Sequence, residues 1–171
     1  MTDKTTSATD NSAAPTTTRF SLVIPAYNEA DYLPALLDTV DAARKAFRNG
    51  GPDAIEVIVA NNNSTDRTAD IARGRGCRVV DEEQRIIAAV RNAGGRAATG
   101  EFLCFVDADS TIHPDTFNVI CDAIQRPDCV AGATGVHLER MSPGIAAAYC
   151  LMIPVVWCTG MDTGVVFCRR S

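Results

Sequence analysis

The chain has 171 residues, 46% of them hydrophobic and 22% charged, a profile of one ordinary soluble domain that excludes a disordered, collagenous or wholly membrane-embedded protein. It falls well short of the roughly 250 residues typical of a (β/α)₈ barrel. Twenty-one acidic residues against sixteen basic ones leave a net charge of -5. Counterion release would therefore oppose binding to a nucleic-acid backbone, and no nucleic-acid partner is expected. A polyanionic ligand would need a metal ion or a few aimed arginines to neutralise it. The seven cysteines are odd in number, contain no C-x-x-C pair and mostly fall in apolar runs, which reads as reduced core thiols of a cytosolic protein. The two histidines, His113 and His137, make no ligand spacing with a close cysteine pair, so zinc is disfavoured.

Residues 1–18 are almost all Thr, Ser, Ala, Asp and Asn; they read as a flexible tail ahead of a single domain over 19–171. From Phe20 onward, short apolar runs alternate with helical patterns, the signature of an α/β domain. Phe20 to Pro25 predicts a strand, and Leu33, Leu36, Leu37, Val40 and Phe47 recur at helical spacing after it, with Pro34 in the first turn. Gly50-Gly51-Pro52 breaks the chain, Ile55 to Ala60 predicts a second strand, and Ser64 or Thr65 is the expected cap of a helix ending near Gly74 and Gly76. Cys77 to Val80 predicts a third strand, and Ile86 to Ala98 a helix interrupted by Gly94-Gly95. The continuous apolar run Phe102 to Val106 predicts a central strand buried on both faces. His113-Pro114 opens a helix with Phe117, Ile120, Cys121 and Ile124 on its core face, Val130 to Leu138 predicts a strand, and Gly164 to Cys168 another. Between Met141 and Met161 no charge occurs, but Pro143, Gly144, Pro154 and Gly160 interrupt the stretch. A buried helix or an interfacial element is expected there ahead of a bilayer span.

In an open, mostly parallel sheet, ligands bind beyond the C-terminal ends of the strands. Three predicted strand ends are polar: Pro25 to Glu29, Asn61 to Asp66 and Asp107 to Thr111. Asp107 and Asp109, two residues apart where a buried strand emerges, suit Mg²⁺ or Mn²⁺, which takes one or two carboxylates and completes its shell with phosphate oxygens and water. Taken alone, the same pair reads first as a strand stop that caps the next turn, ahead of a metal site.

The pair is not alone. The segments FSLVIPAYNE (20–29), VIVANNNSTDRT (57–68), RNAGGRAATG (91–100) and EFLCFVDAD (101–109) resemble, in order and spacing, the nucleotide-sugar-binding half of the family 2 glycosyltransferases. That resemblance implies the GT-A fold: a Rossmann-like, mostly parallel sheet with helices on both faces, here C-terminally incomplete. It also implies a nucleotide-diphosphate sugar donor, a divalent metal, and displacement with inversion at the anomeric carbon. By position, Pro25 and Tyr27 match residues that line base and ribose, and Glu29 belongs to the same loop. Asn61 falls where the family usually has a base-recognising aspartate, and since an amide both donates and accepts, the nucleotide stays open. Arg91 matches an arginine that approaches the nucleotide, and Asp107 and Asp109 match the family's D-x-D, the first near ribose and metal, the second on the metal. Asp66 and Thr68 read as helix-start residues, and Asn92 and Gly94 as structural.

Inversion requires a carboxylate to take the acceptor's proton. In the family it lies beyond a Gly-Gly-Phe stretch that this chain does not reach; Asp162 is the one acidic residue after Glu139, and only availability recommends it. A saccharide or lipid-linked acceptor, a cytoplasmic setting with or without membrane-surface association, and self-association through an uncovered sheet edge are the remaining expectations. Two alternatives stand beside the transferase. One is a non-catalytic nucleotide-sugar-binding module. The other is a haloacid-dehalogenase-like phosphatase, which Asp107-Ala108-Asp109-Ser110-Thr111 fits locally although no lysine follows Lys45. An EF-hand fails, because the sixth and twelfth positions from Asp107 are Ile112 and Asn118.

Overall fold

The computed structural model describes residues 18–127, 129–135, 150 and 164–170. The first strand, β1 (Phe20–Ala26), is buried along its whole length. Its odd and even positions both face protein: Phe20, Leu22 and Ile24 point into the larger core, and Val23 into a smaller one on the other side. Helix α1 (Leu33–Ala46) follows, with Pro34 in its first turn and Leu33, Leu36, Leu37, Val40 and Ala43 as its buried stripe. After a 3₁₀ turn at Pro52–Ala54 come β2 (Ile55–Asn61), α2 (Thr68–Gly74), β3 (Arg78–Asp81), α3 (Ile87–Ala97), β4 (Phe102–Phe105), α4 (Thr116–Ile124), β5 (Ala131–Ala133) and β6 (Val166–Arg169).

The sheet order is β3-β2-β1-β4-β6-β5. Strands β1 to β4 run parallel, while β6 is antiparallel to β4 and β5 antiparallel to β6. Residues of α1, α2 and α4 share the larger core with one sheet face; α3 lies across β1 and β2 on the other. This is the doubly covered, mostly parallel sheet expected of the sequence. Phe20 anchors the larger core, its ring 5.5 Å from those of Phe47 and Phe117 and 5.6 Å from that of Phe102. Edge-to-face and tilted contacts of this kind each add about 0.5–1.5 kcal/mol beyond burial.

Four expectations change. The glycine pair does not interrupt α3: the helix runs through it, and a Cβ on Gly94 would collide with Val23 Cγ1. Gly94 is there to let the helix lie close on β1. Ser64 and Thr65 do not cap α2, which starts at Thr68 with no side-chain cap bond at its N-cap, Arg67. Strand β4 is fully buried only through Phe102 and Cys104, its alternate residues Leu103 and Phe105 being half-buried. It is β1, not β4, that is enclosed on both faces. The strand read at Val130–Leu138 is confined to β5, with 136–138 outside the described residues. Of the cysteines, Cys104 and Cys121 are core residues, whereas Cys77, Cys129 and Cys168 are half-buried and Cys150 is exposed. The tail 1–17, the uncharged stretch 141–161 except Cys150, and Asp162 lie outside the described residues. Among the described residues, no helix is long and apolar enough to cross a membrane.

Candidate functional site

A cleft of about 500 Å³ opens at the C-terminal edge of the parallel strands. Pro25 and Ala26 at the end of β1, Tyr27 and Glu29 in the loop after it, Val90 and Arg91 of α3, and Asp107 to Asp109 beyond β4 all line it. Six of the seven sequence-predicted site residues therefore meet in one cavity. The seventh, Asn61, is set back from it.

Two loops that are distant in sequence build the wall. Asn28, at φ 55°, accepts a bond from Thr65 N at 2.8 Å on its Oδ1 and donates its own N–H to Ser64 Oγ at 3.0 Å. Glu29 N donates to Thr68 Oγ1 at 2.8 Å, and Ala30 N to Asp66 Oδ2 at 3.1 Å. The Ser-Thr-Asp-x-Thr segment thus holds the loop that carries Tyr27 and Glu29, besides starting α2 through the Asp66 Oδ1 bond to Thr68 N at 2.9 Å. Hydrogen bonds from the Thr68 hydroxyl and neighbouring amides hold the Asp66 carboxyl below its ordinary range.

The floor is acidic. Asp107 and Asp109 sit on a turn closed by Ser110 N donating to Asp107 O at 3.1 Å. Burial first, then the negative charges of Asp109, Asp66 and Asp107, push the Glu29 carboxyl above its usual pKa. Arg91 answers part of this charge, its Nη2 lying 2.7 Å from Asp107 Oδ1, while its Nε is buried without a partner among the described residues. No cluster of three or more His, Cys, Asp or Glu able to hold a metal occurs among the described residues. Two carboxylates with room beside them still match the donor set of Mg²⁺ or Mn²⁺, which draws its other ligands from phosphate and water.

The asparagine run begins with the last residue of β2. Asn61 Nδ2 donates to Asp81 Oδ1 at 2.7 Å and its Oδ1 accepts from Ser64 N at 3.3 Å, so both ends of the amide are engaged. Asn62 Nδ2 donates to Glu82 O at 2.7 Å and Gln84 O at 2.9 Å, and Asn63 Nδ2 to Glu83 O at 3.2 Å. Together they fix the loop after β3, which presents Arg85 with its guanidinium carbon 5.2 Å from the centre of the Tyr27 ring. Asn62, Arg85 and Ile87 line the cleft and were missed by sequence reasoning. Asn62 adjoins Asn61 in the same polar run; Arg85 precedes the helical pattern at Ile86 to Ala98 with no motif around it, and Ile87 falls within that pattern as an ordinary apolar position. His113 keeps the helix-start role expected of it, its Nδ1 accepting from Asp115 N at 3.1 Å. Among the described residues no lysine lines the cleft, a departure from what the phosphatase alternative needs.

A smaller cleft of about 240 Å³ lies near the N-terminal ends of β2 and β3. Its arginines are engaged within the protein: Arg75 bonds Asp41 at 2.7 Å and Asp38 at 2.9 Å, Arg44 bonds Pro52 O at 3.0 Å, and Arg78 bonds Ala97 O at 2.7 Å.

Residues 21–142 match the sequence model described as "Glycosyl transferase family 2". The protein named "Putative glycosyltransferase EpsH" of Bacillus subtilis is 36% identical over 100 residues, which cover 56% of this chain and 27% of that protein. The dolichyl-phosphate beta-glucosyltransferase of Drosophila melanogaster is 30% identical over 135 residues, covering 70% of this chain and 41% of that protein. Among solved structures, residues 1–349 of S. aureus TarS in complex with UDP align with a TM-score of 0.58 and 28% identity, over 73% of this chain and 38% of that one. A mannosyltransferase from Pyrobaculum calidifontis shares the fold, with a TM-score of 0.69 at 22% identity over 89% of this chain and 44% of that one. The chain spans less than half the length of each of these four proteins. With the family's motifs gathered at one sheet edge and the family match running from β1 past β5, this chain belongs to glycosyl transferase family 2.

Proposed function

We propose that the chain forms, over 19–171, the donor-binding domain of an inverting glycosyltransferase, one that moves a sugar from a nucleotide-diphosphate donor to an acceptor hydroxyl with Mg²⁺ or Mn²⁺ as cofactor. The observation that carries this reading is the meeting of Tyr27, Glu29, Arg91, Asp107 and Asp109 in one cleft at the end of the parallel strands. Support also comes from TarS, 28% identical and solved in complex with UDP-GlcNAc.

In this reading, Asp107 and Asp109 would hold the metal, with Glu29 adding negative charge beside them. Bound there, a divalent ion supplies Lewis-acid stabilisation of the charge that gathers on the departing diphosphate. Arg91, paired with Asp107, would offer its remaining guanidinium donors to the diphosphate. Pro25 and Tyr27 shape the nucleoside end, where Asn61 acts at one remove by anchoring Asp81 and the loop that follows. The acceptor, a saccharide or a lipid-linked group, would approach from the open side of the cleft in a cytoplasmic setting, with or without association with a membrane surface. No residue is assigned as the base.

Titration calorimetry with UDP and GDP, with and without Mn²⁺, tests the reading. Metal-dependent binding is expected, and Asp109→Asn should weaken it by about tenfold or more while leaving the circular dichroism spectrum unchanged. Absence of nucleotide binding by the wild-type chain, or unaltered binding by the variant, would refute it. Cleavage of p-nitrophenyl phosphate would instead favour the phosphatase.

A further inference from the structure

An asparagine side chain can react with the backbone nitrogen of the residue that follows it, and at most of the described asparagines that nitrogen is occupied. Glu29 N, after Asn28, donates to Thr68 Oγ1 at 2.8 Å, and Ser64 N, after Asn63, to Asn61 Oδ1 at 3.3 Å. Asn62 N, after Asn61, donates to Ala26 O at 2.9 Å, and Val119 N, after Asn118, to Asp115 O at 3.0 Å. Asn92 lies inside α3, whose hydrogen-bond ladder takes up the N–H that follows. Asn62 is buried, with its amide spent on the carbonyls of Glu82 and Gln84.

Asn49 differs on each count. It is exposed, in the turn that leads from α1 to the start of β2, at the end of the sheet opposite the cleft. Gly50 follows it, with no side chain to shield the nitrogen, and among the described residues Gly50 N makes no hydrogen bond. The Asn49 amide has one tether, Nδ2 donating to Cys121 Sγ at 3.2 Å, and sulfur is a weak acceptor. The turn cannot shed the glycine either. Gly50 sits at φ 125°, and a Cβ on it would lie 2.7 Å from that of Ala54.

From these contrasts we infer that Asn49 is a modification site, where the chain deamidates spontaneously with Gly50 N as internal nucleophile and water as co-reactant. Gly50 N gives its proton to a solvent base and bonds to Asn49 Cγ; the Cγ–Nδ2 bond breaks, and the nitrogen takes up a proton and leaves as ammonia. The reacting groups belong to one short stretch of chain, which removes the entropy cost of bringing them together. Water then opens the five-membered imide at either carbonyl, leaving aspartate or isoaspartate. Both products carry a new negative charge and lose the amide donor to Cys121. The isoaspartyl product also routes the backbone through Cγ, lengthening the turn by one carbon. None of this depends on the nucleotide-sugar reading, since Asn49 does not line the cleft.

The test is peptide mapping by mass spectrometry on the full, folded chain, aged at neutral and at mildly alkaline pH, with fragment spectra that separate Asn49 from Asn61, Asn62 and Asn63. The unmodified Asn49 peptide should be lost progressively, ahead of the loss at every other described asparagine. The mass change of NH₂ to OH should appear there in two separable products. Loss should be faster at the higher pH, because the attacking nitrogen must shed its proton. Asn49→Gln, whose longer side chain would have to close a larger ring, should show no such loss at position 49 and an unchanged circular dichroism spectrum. Asn49 remaining intact in the folded chain overturns the inference, by showing that the turn and the Cys121 bond protect it. Equal loss at Asn63 or Asn92 overturns it too, since the occupied nitrogens would then confer no protection.

Discussion

Glu56 illustrates how much one side chain can tie together. Its Oε1 accepts from Ser21 Oγ at 2.5 Å, Thr99 N at 2.6 Å, Thr99 Oγ1 at 2.7 Å and Gly100 N at 3.2 Å, joining β1, β2 and the turn before β4. Burial alone would raise its pKa, but these four bonds outweigh it and leave the carboxyl below its ordinary 4.5. A group whose pKa is lowered on folding stabilises the fold above its unfolded pKa, and the gain vanishes as pH falls through the folded value. Glu56→Gln should therefore cost about 1–3 kcal/mol at pH 7 in urea unfolding, and the gap to wild type should narrow below pH 4.5. A gap independent of pH would contradict this account. Nothing in the sequence announces Glu56, since its partners Thr99 and Gly100 are 43 and 44 positions away. Asn61 shows the same limit: its residue type placed it at a polar strand end, but the pairing with Asp81 depends on the β2–β3 register.

Among the elements, α3 is the one whose local sequence misleads. Two adjacent glycines cost about 1 kcal/mol each in a helix, so they read as a break. Packing reverses that preference, because only a residue without a Cβ lets the helix pass over Val23. Gly94→Ala should then destabilise by about 1–3 kcal/mol through overpacking, although alanine is the better helix former. Since Val90 and Arg91 of the same helix line the cleft, metal-dependent UDP affinity should fall as well; thermal unfolding and calorimetry on one preparation check both. A stabilised variant would show the helix can move off the strand freely. The expected cap at Ser64 or Thr65 fails for a related reason. Hydroxyl residues that suit a helix N-terminus suit loop-to-loop bonding equally, and here Ser64 and Thr65 serve Asn28.

Over the whole molecule, strand β1 lies between β2 and β4 and is the buried axis from which both cores grow. Its amides should exchange with solvent only on global unfolding, whereas those of the edge strands β3 and β5 should exchange through local opening; hydrogen exchange by mass spectrometry checks this, and faster exchange in β1 than in β3 would contradict it. The parallel half of the sheet and the acidic turn after β4 were legible because apolar runs and polar strand ends recur in chain order. The antiparallel return of β6 beside β4 was not, since no local pattern says which edge a late strand joins. The loop at 28–30 and the loop at 64–68 hold each other through four side-chain-to-backbone bonds. Neither can be redesigned or exchanged singly without freeing amides on its counterpart, so in any lineage these two stretches should change in concert.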